Sequence, residues 1–160
     1  QYFYKCLVVG DVDFIFGRSQ AVFEQCEIRS LNRGSTSNNG YITAARTEVS
    51  ASYGFVFINC SLTCVSGTAN NSVWLGRPWC PSGTSVNKPA VAYINCAMGA
   101  HIKKEGWTSM SGVDPSHGRF YEYNSTGSGA YVTSSRPQLS YAQAAGYSKS
   151  NVLGGWNPEF

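Results

Sequence analysis

Charged side chains are scarce in this sequence, and long apolar runs are absent from it. Asp, Glu, Lys and Arg make up 13% of the 160 residues, roughly half of the ~25% that is usual in soluble domains. The net charge of +3 is small, and the sequence has no basic stripe of the kind that binds nucleic acid. No apolar run approaches the ~20 residues that span a bilayer. We therefore expect neither a nucleic-acid partner nor a membrane span.

Metal-ligand spacing is also missing. The six cysteines form no C-x-x-C pair, and the two histidines, His101 and His117, lie far apart in the sequence. Because clustered Cys and His ligands are the usual mark of a structural metal site, we expect no metal and no cofactor. Six cysteines fit an oxidising compartment, so we expect a secreted, extracellular protein.

The residues that are plentiful favour β structure. Gly, Ser, Thr, Asn and Tyr are frequent, and 42% of the residues are apolar, enough for the core of one domain. This balance is typical of secreted carbohydrate-active proteins with hydroxyl-rich surfaces. The chain opens directly in strand-like sequence at residues 2–9, so we expect residues 1–160 to be one domain that forms the C-terminal portion of a longer protein.

Four segments share a pattern in which apolar residues precede a polar residue, a cysteine and another strand-like stretch. They are residues 4–8, 24–28, 58–62 and 94–98, and their cysteines lie 20, 34 and 36 residues apart. Short strands with a quasi-repeat of this length predict a solenoid, in which the cysteines stack as small buried side chains. A β-sandwich is the alternative, but it usually shows hairpin turns between paired strands.

Between the repeats lie inserts rich in Gly, Ser, Thr and Asn. On a solenoid such inserts gather along one face, so residues 29–38, 64–71 and 80–89 are expected to form the walls of a cleft. Helical periodicity is confined to residues 141–147, and the repeat is lost from about Arg119. We expect residues 119–160 to be a terminal capping region, which includes residues 136–139.

One acidic residue stands where an apolar strand is predicted. Residues 10–17 read GDVDFIFG, and Asp13 has no Lys or Arg beside it. A carboxylate among large apolar side chains costs several kcal/mol unless another group pairs with it. Residues 74–79, WLGRPW, place Arg77 in a Gly-Pro bend between two tryptophans. Since a guanidinium matches two carboxylate oxygens at once, we predict that Asp13 and Arg77 pair in the fold.

The two segments resemble signature motifs of a known family. GDVDFIFG at 10–17 and LGRPW at 75–79 resemble motifs of the pectin methylesterases, carbohydrate esterases with a right-handed parallel β-helix fold. Further matches lie at 40–44, 53–57 and 106–112, so the resemblance covers nearly the whole chain. It implies an all-β, parallel β-helix here, of which this chain would form the C-terminal coils.

The resemblance also implies an activity and a set of site residues. The family removes C6 methyl esters from galacturonate units of pectin, giving methanol and demethylated pectin through a covalent acyl-enzyme. Asp13 matches the nucleophile, and Arg77 matches the arginine that holds it ionised. Trp79 matches an aromatic platform for a sugar ring. The groove-lining positions fall on Val12, Phe16 and Met110. Methylated pectin is the expected partner, and the full-length protein is expected to be a monomer.

Part of the family's machinery is absent from these residues. The family uses a second Asp as general acid/base, in a Gln-Asp-Thr motif about one coil before the nucleophile, and glutamines that form the oxyanion hole. Neither motif occurs in this sequence. We therefore expect the 160-residue chain alone to be essentially inactive.

A disulfide is a further expectation. Cys6 and Cys26 lie one short coil apart, on either side of the strand that carries Asp13, and the same pairing is seen in some members of the family. Equivalent points of adjacent coils are ~5 Å apart, which is within reach of a bridge.

Two other functions stay open. Another pectin-active β-helix enzyme, a lyase or a polygalacturonase, would show clustered acidic Ca²⁺ ligands or several Asp in close motifs with a His, and neither set is visible. A non-catalytic solenoid that binds cell-wall polysaccharide is the alternative from a different class. Among the remaining residues, we expect Asp11 to be a solvated turn residue and Trp74 to serve packing.

Overall fold

The structure is a computed structural model that describes residues 1–159, and short strands dominate it. Twelve strands are followed by two short helices, α1 and α2, and a 3₁₀ turn at Pro115–His117 precedes the last strand. The strands are β1 Tyr2–Tyr4, β2 Leu7–Gly10, β3 Val12–Gly17, β4 Ala21–Glu24, β5 Glu27–Ser30, β6 Gly40–Ala45, β7 Phe55–Ile58, β8 Ser61–Cys64, β9 Val73–Pro78, β10 Ala90–Ile94, β11 Ala97–Met98 and β12 Arg119–Tyr123, and the helices are α1 Tyr141–Ala145 and α2 Lys149–Val152.

The strands form three parallel sheets that wind around one core. Sheet A has the order β1-β4-β7-β10-β12, sheet B has β11-β8-β5-β2, and sheet C has β3-β6-β9. Three successive strands make one coil in each of the first three coils, and neighbouring strands within each sheet pair in parallel. The predicted solenoid is confirmed as a parallel β-helix, and the β-sandwich is excluded.

The corner between sheets A and B is the same in each coil. One residue there adopts the left-handed conformation, with φ between 52° and 54°, at Lys5, Gln25, Asn59, Asn95 and Asn124. This conformation is uncommon outside glycine, and asparagine tolerates it best. The next residue is a cysteine in four coils, and Cys26, Cys60 and Cys96 are buried. The polar residue in the quasi-repeat is therefore the corner residue, and the predicted stack of buried cysteines is confirmed for these three.

Aromatic rings form a second column inside the helix. Phe3, Phe23, Phe57 and Tyr93 occupy the same register of sheet A, with ring centroids 4.6, 4.8 and 4.6 Å apart. Offset stacking at such distances stabilises beyond the area that is buried. Glu122 takes the same register one coil further along, so the aromatic column ends on an acid.

Glu122 is paired with a fully buried arginine. The Nε and Nη2 atoms of Arg136 donate to the two carboxylate oxygens of Glu122 at 2.6 and 2.7 Å, and Arg136 is 0% exposed. Arg136 also donates to the carbonyl oxygen of Gly129 at 2.8 Å. Both charges are thus satisfied by hydrogen bonds in the interior, as buried charges require.

The repeat extends further than the sequence suggested. All five residues of β12 pair with β10, from Arg119 to Tyr123, so the expected loss of the repeat at about Arg119 is wrong. The coil was hidden because Ser125 takes the place of the cysteine after the corner residue Asn124. After this corner the described part of the chain adds no further strand to the three sheets.

The last segment folds back over the outer face of sheet A. Val152 of α2 packs with Val22, Val56 and Ala92, one from each of three neighbouring strands. The predicted helical segment at 141–147 is α1, shorter by two residues. Neither helix, nor any other within residues 1–159, is long and apolar enough to cross a membrane. That this segment serves as a terminal cap stays a prediction.

His101 is a buried histidine at the corner between sheets B and C. Its ring nitrogens have no hydrogen-bond partner among the described residues, and burial lowers its pKa from 6.5 to about 4. Between pH 6.5 and pH 4, His101 therefore binds a proton in the unfolded chain but not in the folded protein. Because protons bind preferentially to the unfolded state there, the free energy of unfolding decreases as the pH falls. We expect the loss to reach roughly 3 kcal/mol near pH 4.

Urea unfolding at pH 7 and pH 4.5 measures this effect. Other groups also titrate in that interval, so the useful quantity is the difference between the wild type and His101→Leu. The variant should lose less stability than the wild type between the two pH values. Equal losses in both proteins would show that His101 is not the group responsible.

Candidate active site

Sheet C carries the two residues that the sequence predicted to pair. Asp13 lies on β3 and Arg77 on β9, with β6 between them. The Nε of Arg77 donates to Oδ1 of Asp13 at 2.9 Å, and its Nη2 donates to Oδ2 at 2.6 Å. The structure therefore brings the two side chains together in the two-pronged geometry that favours carboxylate binding. Their roles in catalysis stay predictions.

The backbone of β3 departs from a regular strand at Asp13. Asp13 has φ 51°, and the pairing of β3 with β6 shifts register between Val12 and Ile15. A regular strand would put Asp13 and Ile15 on the same face, but Ile15 is buried in the core and the Asp13 side chain is 19% exposed. Asp13 lies within the strand, as the sequence predicted, but its side chain does not lie among the apolar residues of the core because the irregularity turns it outward. Left-handed residues inside strands are strained and concentrate at functional sites.

Asp11 differs from Asp13 as expected. Its side chain is 48% exposed, and its Oδ1 accepts a hydrogen bond from the N–H of Val12 at 2.7 Å. This is the behaviour of a solvated turn residue.

Arg77 is held by its neighbours on β9 and β6 rather than by a bend. Residues 76–78 are part of the strand β9, so the expected Gly-Pro bend is wrong. Pro78 is tolerated because β9 is an edge strand of sheet C. A Cβ at Gly76 would lie 2.0 Å from Oγ1 of Thr43, so only glycine lets β9 approach β6 this closely. The hydrogen bonds that Arg77 donates to Asp13 raise the pKa of the Arg77 guanidinium above its usual value.

Tyr41 supports the pair and was not singled out from the sequence. The Cζ atom of Arg77 lies 3.8 Å from the centroid of the Tyr41 ring, within the range of a cation–π contact. Tyr41 belongs to β6, the strand between those of Asp13 and Arg77. The sequence carries no local signal for this contact, because the contact depends on the order of the strands in sheet C.

An open groove of about 350 Å³ contains the remaining predicted site residues. Val12, Asp13, Phe16, Ala44, Trp79 and Met110 line it. Phe16 is 64% exposed, and its ring meets that of Trp79 edge-on at 6.0 Å. Ala44 is the lining residue that the sequence did not single out, because a small apolar side chain gives no chemical signal. The groove thus offers aromatic and apolar surface around one ion pair.

Trp107 and Trp74 differ in burial. Trp107 is buried and stacks on Phe120 with centroids 4.4 Å apart, so it belongs to the core. Trp74 was assigned to packing, but it is half-buried, lies between the buried residues Val73 and Leu75, and carries the ammonium of Lys103 4.8 Å above its ring. The alternation along β9 turns Trp74 outward, so it packs against Lys103 on the outer face of sheet C and not in the core.

The inserts flank sheet C, and that they form the walls of a cleft stays a prediction. Residues 31–39 and 65–72 lead from sheet B into sheet C, and residues 79–89 lead from sheet C back to sheet A. Two inserts therefore lie at one edge of the groove and the third lies at the opposite edge.

The predicted bridge between Cys6 and Cys26 is not formed in the structure, where both are free thiols. The two cysteines are nevertheless neighbours, since the N–H of Cys6 points to Sγ of Cys26 at 3.4 Å. Burial raises the pKa of the Cys26 thiol to about 11, so little of the reactive thiolate exists in the folded protein at neutral pH. The pairing stays a prediction. The disulfide would form most readily before folding buries the thiol of Cys26.

Within residues 1–159, no group of three or more His, Cys, Asp or Glu side chains is arranged so that it could hold a metal ion.

The fold and site define the protein as a parallel β-helix with an open, aromatic-lined groove beside a carboxylate–guanidinium pair. Comparison with known proteins narrows this class: the family model described as Pectinesterase matches residues 1–153. The chain belongs to the pectinesterase family.

Individual relatives agree with this assignment. Pectinesterase A of Dickeya chrysanthemi is 38% identical over 168 residues, covering 92% of this chain and 45% of that protein. A pectin methylesterase from Yersinia enterocolitica has a similar structure, with a TM-score of 0.90 and 36% identity over 97% of this chain and 53% of the other. A crystal structure of a pectin methylesterase in complex with a hexasaccharide has a TM-score of 0.90 and 35% identity, over 99% and 52% of the two chains. The chain spans about half the length of the relatives it matches.

Proposed function

We propose that this protein hydrolyses the C6 methyl esters of galacturonate units in pectin, with Asp13 as the nucleophile. The observation that carries the proposal is the two-pronged pair of Asp13 and Arg77 in an open, aromatic-lined groove. A carboxylate that attacks an ester must be accessible and yet stay ionised, and a fixed guanidinium keeps it so.

The reaction follows from the position of the carboxylate. One Asp13 oxygen attacks the ester carbonyl carbon, the bond to the methoxyl oxygen breaks, and that oxygen takes a proton from a general acid to leave as methanol. Water then attacks the acyl carbon of the resulting anhydride, which returns the Asp13 carboxylate and releases the galacturonate acid. Each Asp13 oxygen accepts one hydrogen bond from Arg77, and a carboxylate oxygen keeps a second lone pair for the attack.

The groove suits a sugar polymer. Trp79 offers a ring face on which the apolar side of a pyranose can rest, and Val12, Phe16 and Met110 supply apolar surface around the methyl ester. A related pectin methylesterase has been crystallised with a hexasaccharide. The net charge of +3 favours an anionic polymer over a basic one. We propose that the protein acts outside the cell on cell-wall pectin, as a monomer.

The general acid is the part that these residues do not supply. Asp13 is the one acidic side chain among the residues that line the groove, and the Gln-Asp-Thr sequence of the family is absent. Loss of one oxyanion donor commonly costs ~10²–10³ in rate, and loss of general acid/base help costs ~10²–10⁴. We propose that the 160-residue chain alone is essentially inactive.

Methanol release from methylated pectin tests the function. The protein at its natural length should release methanol, and the 160-residue chain should release it at least ~10³-fold more slowly, since both kinds of assistance are lost. Absorbance from unsaturated uronides instead of methanol would identify a lyase. If the natural-length protein binds pectin without any turnover, the non-catalytic polysaccharide-binding solenoid replaces the esterase.

A further inference from the structure

A second concave site, the sheet-A cleft, lies on the outer face of sheet A. Its volume is about 420 Å³, within the ordinary range for sites that bind small molecules. Three parts of the chain line it: the insert at residues 52–53, strand β12 at Tyr121, and the terminal segment between Gln138 and Tyr147. The sheet-A cleft shares no lining residue with the groove on sheet C.

Tyr121 stands at the end of a row of outward-facing residues on sheet A. The row runs across four neighbouring strands through Val22, Val56, Ala92 and Tyr121. Val152 of α2 packs with the first three of them, whereas Tyr121 is half-buried at the cleft. Tyrosine has an apolar ring and a polar hydroxyl, so Tyr121 offers a ligand both contact area and a hydrogen bond.

Several hydrogen-bonding groups of the sheet-A cleft are unused. Within residues 1–159, the hydroxyls of Tyr121 and Tyr147 have no hydrogen-bond partner. The Nε2 of Gln138 donates to a backbone carbonyl and leaves its Oε1 available, and the Oε1 of Gln143 accepts from a backbone N–H and leaves its Nε2 available. Burial raises the pKa of Tyr147 to about 12, so this hydroxyl is protonated at neutral pH and can donate.

The sheet-A cleft carries no charge. Among the described residues that line it, none is Asp, Glu, Lys, Arg or His. Arg119 borders the wall, but its Nη1 donates to the carbonyl oxygens of Ala51 and Ser52 at 2.7 and 3.2 Å. These bonds also fix the insert that forms this wall, which lowers the cost of ordering it on binding. Because a charged ligand would lose hydration here without gaining a partner, the cleft favours a neutral one.

The sheet edge beside the sheet-A cleft is already occupied by the chain itself. The N–H of Glu122 on the edge strand β12 donates to the carbonyl oxygen of Pro137 at 3.0 Å, and the N–H of Leu139 donates to the carbonyl oxygen of Glu122 at 2.8 Å. A peptide therefore cannot extend sheet A as an added strand at this point.

We propose that the sheet-A cleft binds a neutral hexose chain, with Tyr121 and Tyr147 as its main contacts. A pyranose ring has apolar C–H faces and a rim of hydroxyl groups. These match the tyrosine rings and the unused donors and acceptors around them. The inference goes beyond the proposed function, because the groove on sheet C suits an anionic polymer. One molecule could then hold a neutral polysaccharide on one face while it acts on an anionic one at another.

Isothermal titration of the natural-length protein with neutral oligosaccharides tests the inference. The probes are β-1,4-linked galactotetraose and cellotetraose, which have hydroxyl groups but no carboxylate. At least one of them should bind with a dissociation constant below about 10 mM. Added salt should not weaken this binding, because no charge takes part in it. Saturating oligogalacturonate should also leave it unchanged, since the two sites share no lining residue.

Variants of the two tyrosines locate the bound sugar. Tyr121→Ala removes a ring and should weaken binding about tenfold, and Tyr147→Phe removes only a hydroxyl and should weaken it about fivefold. Tyr131→Ala is the control, because Tyr131 is an exposed tyrosine that does not line the cleft, and it should leave the affinity unchanged. If circular dichroism shows that Tyr121→Ala is unfolded, Tyr121→Phe replaces it, with an expected loss of about fivefold.

Three outcomes would overturn the inference. The first is that neither tetraose binds. The second is displacement of the tetraose by oligogalacturonate, which would place it in the groove. The third is an unchanged affinity in the Tyr121 and Tyr147 variants. None of these depends on catalysis: a protein that releases methanol but binds neither tetraose keeps the proposed function and loses this inference, and a protein that binds a tetraose without releasing methanol does the reverse.

Discussion

Replacement of Asp13 by asparagine is expected to abolish methanol release in the natural-length protein. Asparagine keeps the size of the side chain and one acceptor for Arg77, but its amide oxygen is a poor nucleophile. Loss of a catalytic nucleophile commonly costs ~10⁴–10⁶ in turnover. Methanol release from methylated pectin at saturating substrate measures the change, and thermal unfolding shows that the fold is intact.

Asp11→Asn is the matched control for this experiment. Asp11 lies two residues away and is half exposed, so the control should keep turnover within about twofold, as is usual for exposed positions away from the chemistry. A second variant, Asp13→Ala, should be as inactive as Asp13→Asn. Retention of even a tenth of the activity in both Asp13 variants would remove Asp13 from the nucleophile's role and leave the mechanism without its central group.

The largest effect on stability is expected at the buried pair of Arg136 and Glu122. In Arg136→Met the carboxylate of Glu122 is left in the core without its partner, and such losses cost about 3–5 kcal/mol. For a domain of this size, that corresponds to a fall of roughly 6–20 °C in the melting temperature. Calorimetry or a circular dichroism melt measures it.

A double variant separates the charge from the packing. In Arg136→Met with Glu122→Leu no charge remains in the interior, so the double variant should be more stable than Arg136→Met alone. The exposed pair of Arg18 and Glu48 provides a comparison, and Arg18→Gln should cost at most about 1 kcal/mol. If the double variant is less stable than the single one, the side chains contribute through their packing and not through the pairing of charge.

The sequence predicted the solenoid because its local signals recur. The polar residue before each cysteine marks the corner between sheets A and B. The left-handed backbone at this corner favours asparagine, which occurs there as Asn59 and Asn95. The pairing of Asp13 with Arg77 was also predictable, since a carboxylate in an apolar strand requires a partner of opposite charge, although the bend that was expected to hold Arg77 is absent.

Other features depend on neighbours that are distant in sequence. The outward turn of Asp13 arises from a shift in the pairing of β3 with β6, and the contact of Tyr41 with Arg77 requires the order of strands in sheet C. Arg136 and Glu122 meet because the chain returns to the end of the core after β12. No spacing or motif in the sequence encodes such returns, so pattern reasoning does not reach them.

The constant corner between sheets A and B has a consequence for how this protein can evolve. The link there is two residues long in each of the first four coils, whereas the links on either side of sheet C range from one residue to long inserts. Insertions and deletions are therefore tolerated beside the groove, and the rigid corner keeps the register of the coils while they accumulate. Substrate preference and fold stability can change independently in such a protein, and a library of altered loops at 31–39 and 79–89 is the natural starting point for redesign.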